Sequence, residues 1–342
     1  MALISIIIPC YNVSLFLNRC LTSIENQTIG MEALEIICID DASTDNTLSI
    51  LEAWEQKYPY NFILIPFQQN ARQGTARNVG LQYASAPWIS YVDSDDWLEP
   101  DFFEKLYNHT NDSDVEMVMC RHERDFHKDL TLFEYHESTT PSHYLYIDTP
   151  SKRRNYIRAT GMEPAVWGKL IRRSFLDKHN LCFPEGLAYE DNYWTTLMHC
   201  YLNCAYVIEE PLYHYFVNDH STILQVNAPY HTDYLSVYER TWEELKQRGI
   251  WENYYYEFMF DALHTCYLGF LKIVCLRYSP PSHELFLQLK DIIHKYFPDY
   301  DSCPYLSQGF NEFQKLLLQM LSLPIDSAQF SEVASTVAQL GI

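Results

Sequence analysis

Two periods of apolar positions alternate along the first hundred residues. Short β-rich runs, Ile4 to Ile8, Leu34 to Ile39, Phe62 to Pro66 and Trp88 to Val92, are separated by stretches with helical spacing that begin near Ser14, Ser43 and Thr75. This rhythm predicts βαβ units and an α/β fold, a Rossmann-like, mostly parallel sheet flanked by helices. Ligands of such sheets bind beyond the carboxyl ends of the strands, so the polar residues that follow each strand are the ones to inspect. From Asp101 to about Ser151 the pattern turns polar and irregular, as expected of a substrate-side insertion. Regular structure resumes over Trp167 to His214. Beyond Ser221 the pattern is helical, cut by Gly249, Pro280-Pro281, Pro298 and Pro324 into separate helices. The expected division is 1–222 as one domain, with halves 1–100 and 101–222, followed by a helical region 223–342.

Composition adds a core and a charge. Of 342 residues 47% are hydrophobic and 15% aromatic, enough to fill a sizeable interior. Against 45 acidic residues stand 24 basic ones, and a net charge of -21 repels nucleic acid and anionic lipid. A phosphorylated ligand would need a divalent cation beside it in such a chain. The 10 cysteines form no C-x-x-C pair, which fits reduced thiols in the cytoplasm. Met1 to Pro9 lacks the basic flank of a signal peptide and reads as a strand. Phe258 to Leu276 carries Asp261, His264 and Lys272, which favours a buried helix over a membrane span.

The strand ends carry the chemistry. They read Pro9-Cys10-Tyr11-Asn12, Asp40-Asp41-Ala42-Ser43-Thr44-Asp45 and Asp93-Ser94-Asp95-Asp96. Ser43 or Asp45 is explained well enough as a helix N-cap. Asp93, Asp95 and Asp96 crowd like charges at one edge, which suits a hard cation held by oxygen ligands; an acidic turn capping a helix near Glu99 is the other reading. Further on, Phe183 to Trp194 opens a helix with an apolar stripe at Trp194, Leu197, Met198, Tyr201 and Leu202. Glu190 and Asp191 precede Trp194 by one turn. They are either first-turn partners of the helix dipole or working groups.

Four segments together, Ser5 to Asn12, Ile39 to Asp45, Gly74-Thr75-Ala76-Arg77-Asn78-Val79-Gly80 and Tyr91 to Asp96, closely resemble the nucleotide-binding half of family 2 glycosyltransferases of the A-type fold. Ala42 departs from the family's frequent glycine, which is tolerable if the backbone there is not left-handed. The resemblance implies a nucleotide-sugar donor, a UDP-sugar, bound with Mn²⁺ or Mg²⁺ at an Asp-x-Asp motif. It places Pro9, Tyr11, Asp41, Arg77, Asp93 and Ser94 on the donor: Tyr11 against the base, Asp41 on its N3–H, Arg77 approaching from the helix. Asp95, Asp93 and His220 form the implied metal set. Asp191 becomes the catalytic base of an inverting displacement, positioned by Glu190. The implied acceptor is a glycan or a lipid-linked glycan, reached by peripheral association at the inner face of the membrane.

Other residues stay open. Lys169 touches a substrate or is an exposed helix lysine; Trp167 is a sugar platform or core; His214 and His220 return past the site, with His220 the nearer to the phosphates. His199, Cys200 and Cys204 lack a second ligand pair for zinc and read as core. The Tyr-rich helices after Tyr230 are an aromatic core, or an acceptor or homodimer surface. A sugar nucleotidyltransferase is the rival enzyme, but Pro9-Cys10-Tyr11-Asn12 lacks the glycine-rich triphosphate loop. A catalytically silent sugar- or nucleotide-binding scaffold is the non-enzymatic rival, though no expected carboxylate is missing.

Overall fold

The computed structural model describes residues 2–126, 140–158, 165–217, 224–307 and 309–340. They form two compact units, Met1–Thr149 with Pro164–Asn218, and Pro150–Glu163 with Asp219–Ile342.

The first unit opens with β1 (Ile4–Cys10), α1 (Leu17–Glu25), β2 (Leu34–Asp40), α2 (Thr47–Lys57), β3 (Phe62–Pro66), α3 (Arg72–Tyr83) and β4 (Trp88–Tyr91). It continues with β5 (Trp97–Leu98), α4 (Phe102–Tyr107), β6 (Met117–Asp125), β7 (His143–Tyr146), β8 (Lys169–Arg172), α6 (Arg173–His179), α7 (Glu190–Tyr201) and β9 (Cys204–Phe216); α5 (Pro150–Arg158) belongs to the other unit. One sheet runs β3-β2-β1-β4-β8-β6-β9-β5, with β7 beside β9. Its first half is parallel, with Cys10 opposite Asp40 and Ile7 opposite Tyr91. The β8 strand then enters antiparallel to β4 and β6. Every residue of β1 is buried, so it reads as a continuous apolar run with both faces covered. On one face α3 lies so close that a Cβ at Gly80 would overlap Ile7.

Two expectations are corrected. The described residues of the stretch from Asp101 to Ser151 are not irregular, since they contain α4, β7 and the nine-residue β6. The charged half of β6, Arg121 to Arg124, hides its strand character because it runs beyond the buried part of the sheet. Ala42 is left-handed after all, at φ +60°. An alanine there carries a local strain of about 1 kcal/mol that glycine would not.

The second unit is helical, and its breaks fall where the glycine and prolines predicted them. It comprises α5, α8 (Asp233–Gln247), α9 (Tyr255–Asp261), α10 (Leu268–Leu276), α11 (His283–Tyr296), α12 (Glu312–Gln319) and α13 (Ser327–Leu340). The run Trp251–Leu276 is long and apolar enough to cross a membrane by length and composition, yet 61% of its most apolar window is buried within the protein.

Candidate active site

The turns after β1 and β2 are laced together at the carboxyl edge of the sheet. Asn12, at φ +53°, accepts from the Thr44 N–H at 2.8 Å, and its own N–H donates to Ser43 Oγ at 3.0 Å. Thr47 Oγ1 accepts from the Val13 N–H at 2.9 Å, and Asp45 bridges the N–H groups of Ser14 and Thr47. Burial alone would raise the Asp45 carboxyl, but these hydrogen bonds outweigh it and hold the group at about 2. Neither Ser43 nor Asp45 is the N-cap of α2, which is Asn46; Ser43 serves the turn after β1, and Asp45 ties that turn to the first residue of α2. Beside this lacing Tyr11 is 47% exposed, while Pro9 is buried inside β1.

Asp41 is almost wholly buried and receives the N–H groups of Ala71 and Arg72 at 2.6 and 2.9 Å, one on each oxygen. A carboxylate offers about four acceptor positions, so each oxygen keeps one for a ligand donor. Burial raises its pKa despite those bonds. Asp40 is buried beside it and takes the Ser43 N–H.

The four-residue turn after β4 splits its carboxylates between two jobs. Asp96, fully buried, accepts from the Tyr213 hydroxyl at 2.6 Å and the Phe216 N–H at 2.8 Å, so it anchors the turn and is not a cation ligand. Burial, with Asp95 and Asp93 nearby, pushes its pKa well up. Arg19 of α1 holds the Asp95 carbonyl at 2.8 Å with its guanidinium over the Trp97 ring at 3.8 Å. Ser94 is buried between Asp93 and Asp95. One Asp93 oxygen receives Arg77 at 2.9 Å; the other has no partner among the described residues. Among those residues no three His, Cys, Asp or Glu side chains gather to hold a metal ion. Asp95 with the remaining Asp93 oxygen nevertheless fits a hard cation that takes its other ligands from diphosphate and water. His220 lies outside the described residues.

The face of α3 that carries Gly74, Thr75, Arg77 and Asn78 grips the segment leading into α7. Asn78 exchanges two hydrogen bonds with the Phe183 backbone, at 2.9 and 2.8 Å, and Thr75 Oγ1 accepts from the Gly186 N–H. Gly74 lies against Pro184, where a Cβ would come within 2.8 Å of the carbonyl oxygen. Arg77, 2% exposed, gives one terminal nitrogen to Glu190 and the other to Asp93 and Gln73. Its burial would lower its pKa, but Asp93 and Glu190 outweigh that and raise it, so the charge is permanent.

At the first turn of α7, Asp191 Oδ1 accepts the Asn192 N–H at 3.0 Å, and Oδ2 carries no hydrogen bond among the described residues. The residue keeps some exposure, but dense surroundings desolvate it. That desolvation and the adjacent Glu190 charge raise its pKa to about 7, against the pull of Arg77. An unengaged carboxylate oxygen poised near neutrality is equipped to accept a proton.

Two open readings close differently from expectation. Lys169 is neither exposed nor helical: it is buried on β8, donating to the carbonyls of Ala165 and Trp167. His214 is buried, bonded to Glu99 at 2.8 Å and stacked on Trp97, which takes it away from any phosphate. Sequence reasoning missed Arg19, Asn78 and Tyr213 as supports of the site, because each acts on a partner more than seventy positions away.

A parallel α/β sheet continued by a half of mixed strand direction, with carboxylates on its strand ends, is the architecture of the A-type glycosyltransferase fold. Over 98% of the chain the fold matches that of S. aureus TarS residues 1–349 in complex with UDP-GlcNAc, with 92% of that chain covered, TM-score 0.69 and 18% identity. The model of Glycosyl transferase family 2 matches residues 5–179, and the chain belongs to that family. It is similar to the putative glycosyltransferase EpsH of Bacillus subtilis, 28% identical over 84% of this chain and 81% of EpsH. A second relative is the uncharacterised glycosyltransferase YibD of Escherichia coli, 28% identical over 77% of this chain and 78% of YibD.

Proposed function

We propose that this enzyme moves a sugar from a UDP-sugar to a hydroxyl of a glycan or lipid-linked acceptor, with inversion at the anomeric carbon. The observation that carries the reading is the meeting of the Asp93 turn and the first turn of α7 through the buried Arg77. It sets a metal-capable carboxylate pair and a near-neutral carboxylate on one edge. Asp191 takes the acceptor proton as that oxygen bonds to the anomeric carbon, and the bond from that carbon to the diphosphate breaks on the opposite face. One displacement exchanges one substituent for the other, so the configuration inverts. Asp95 and Asp93 would hold Mn²⁺ or Mg²⁺, whose chemistry is to neutralise the charge gathering on the leaving diphosphate. The solved relative bound to UDP-GlcNAc supports a uridine donor. The direct test is UDP release from a panel of UDP-sugars with Mn²⁺; binding without release would favour a silent scaffold instead.

Replacing Asp95 by Asn removes one charged ligand from an oxygen-only site. Calorimetry with UDP should then show loss of the Mn²⁺-dependent part of binding. Equal UDP affinity with and without metal in both proteins would remove Asp95 from the cation site.

Uridine choice is expected to rest on Asp41, whose acceptor-only oxygens suit the uracil N3–H and repel the bare ring nitrogen that cytosine carries at the same position. UDP should bind more tightly than CDP, and Asp41→Asn should erode the preference. Indistinguishable affinities for UDP and CDP in the wild type would separate Asp41 from base recognition.

A further inference from the structure

We infer that Trp167 is the floor of the acceptor subsite, stacking beneath a pyranose ring of the acceptor, and that Tyr213 holds that floor in register with the Asp93 turn. The inference deepens the transferase reading and rests on it. Trp167, two residues before β8, forms a bridge to Tyr91, two residues before Asp93, so it stands at the same sheet edge as the carboxylates. The order of the sheet gives the direction. Asp41 and Tyr11 follow β2 and β1, Asp93 follows β4, and Trp167 comes next on the β8 side. A donor laid from Tyr11 to Asp93 therefore leaves Trp167 on the far side of the reacting carbon, where an acceptor has to enter.

The ring is held rigidly and only partly covered. It lies parallel to Tyr213 at 4.5 Å and 7° and to Tyr215 at 5.6 Å and 17°, and His122 meets it edge-on at 4.9 Å. Tyr213 and Tyr215 are two apart on β9 and share one face of the strand, so both rings support the indole from one side. Tyr213 also spends its hydroxyl on the site: it accepts the Asp93 N–H at 3.2 Å and donates to Asp96 at 2.6 Å. From below, the buried Lys169 ammonium binds the carbonyls of Ala165 and Trp167, and Gly168 makes the turn at φ +70°. The indole packs against the main core on one side and stays half-buried, so part of its surface is left for a ligand. The Trp167 indole N–H and the Tyr215 hydroxyl make no hydrogen bond among the described residues, which leaves polar handles at the rim of an apolar face. An apolar face rimmed by donors matches a pyranose, with one C–H face and hydroxyls around its edge.

The test compares the wild type with Trp167→Ala and Trp167→Phe. UDP release from a turned-over UDP-sugar is followed with methyl β-glucopyranoside and methyl N-acetyl-β-glucosaminide as acceptor probes, alongside UDP affinity by calorimetry. The expected result is an acceptor KM raised about tenfold or more in Trp167→Ala, with UDP affinity kept and most of the loss recovered in Trp167→Phe. Retained UDP affinity also reports that the variants are folded. An acceptor KM unchanged in Trp167→Ala overturns the proposal. So does a rise in donor KM alone, which would give the indole to the donor sugar. A wild type that turns over donor but gains nothing from either pyranoside also overturns it. Absence of UDP release from every donor instead defeats the transferase reading, and this subsite falls with it.

Discussion

Asp191→Asn is expected to lower kcat by about 10²- to 10⁴-fold while leaving UDP and metal affinity nearly intact. Asn keeps the size of Asp and the contact to the Asn192 N–H, but it cannot take a proton at neutral pH. The fold should not suffer, since no buried cation depends on Asp191 for a direct ion pair; Arg77 is held by Glu190 and Asp93. The wild-type pH profile carries the same assignment. A base acts in its ionised form, and desolvation with the Glu190 charge raises Asp191 to about 7, so the proton-accepting fraction falls about tenfold per unit below that pH. The acidic limb of kcat/KM for the donor, which reports the free enzyme, is expected near 7. Loss of less than tenfold in kcat with normal donor binding would move the base to another group.

How far this site could be read from the chain depends on sequence distance. The strands β1 and β2 are legible because their apolar runs are continuous, as burial on both faces requires; β3, a half-buried edge strand, is legible from its β-rich run alone. Asp191 is legible as an inward first-turn residue from the stripe that follows it. The bond between Arg77 and Glu190 spans 113 positions, and no local period encodes it. Lys169 sits on a strand of four residues, too short for alternation to declare itself, so a buried lysine passes for an exposed one. The division of labour between Asp95 and Asp96 is equally hidden. Adjacent carboxylates look alike until the fold brings Tyr213 and the Phe216 N–H to one of them. Ala42 shows the same limit for the backbone, since its side chain gives no sign of the left-handed turn it occupies.

Arg77→Met should cost about 3–5 kcal/mol of stability, more than any surface change, because it leaves Glu190 buried with an uncompensated charge. Met preserves much of the stem's volume, so the loss isolates the guanidinium, including its place over the Phe183 ring at 5.4 Å. Glu190 has a side chain 8% exposed, whereas Asp93 is 25% exposed and more readily hydrated, so most of the penalty belongs to the Glu190 side. Adding Glu190→Gln to Arg77→Met removes the stranded charge and should restore part of the loss. Glu190→Gln alone should be harmful, since it takes a partner from a cation that cannot deprotonate. Urea unfolding of the four proteins measures this coupling. Activity gives an independent reading, because Arg77 is the positive charge that pulls the Asp191 pKa down. Without it the base protonates more readily, and the acidic limb of kcat/KM in Arg77→Met moves to higher pH, whereas a purely structural arginine would lower the whole profile without displacing it. A variant that loses under about 1 kcal/mol and keeps the wild-type limb would show that Arg77 organises neither the α7 turn nor its base.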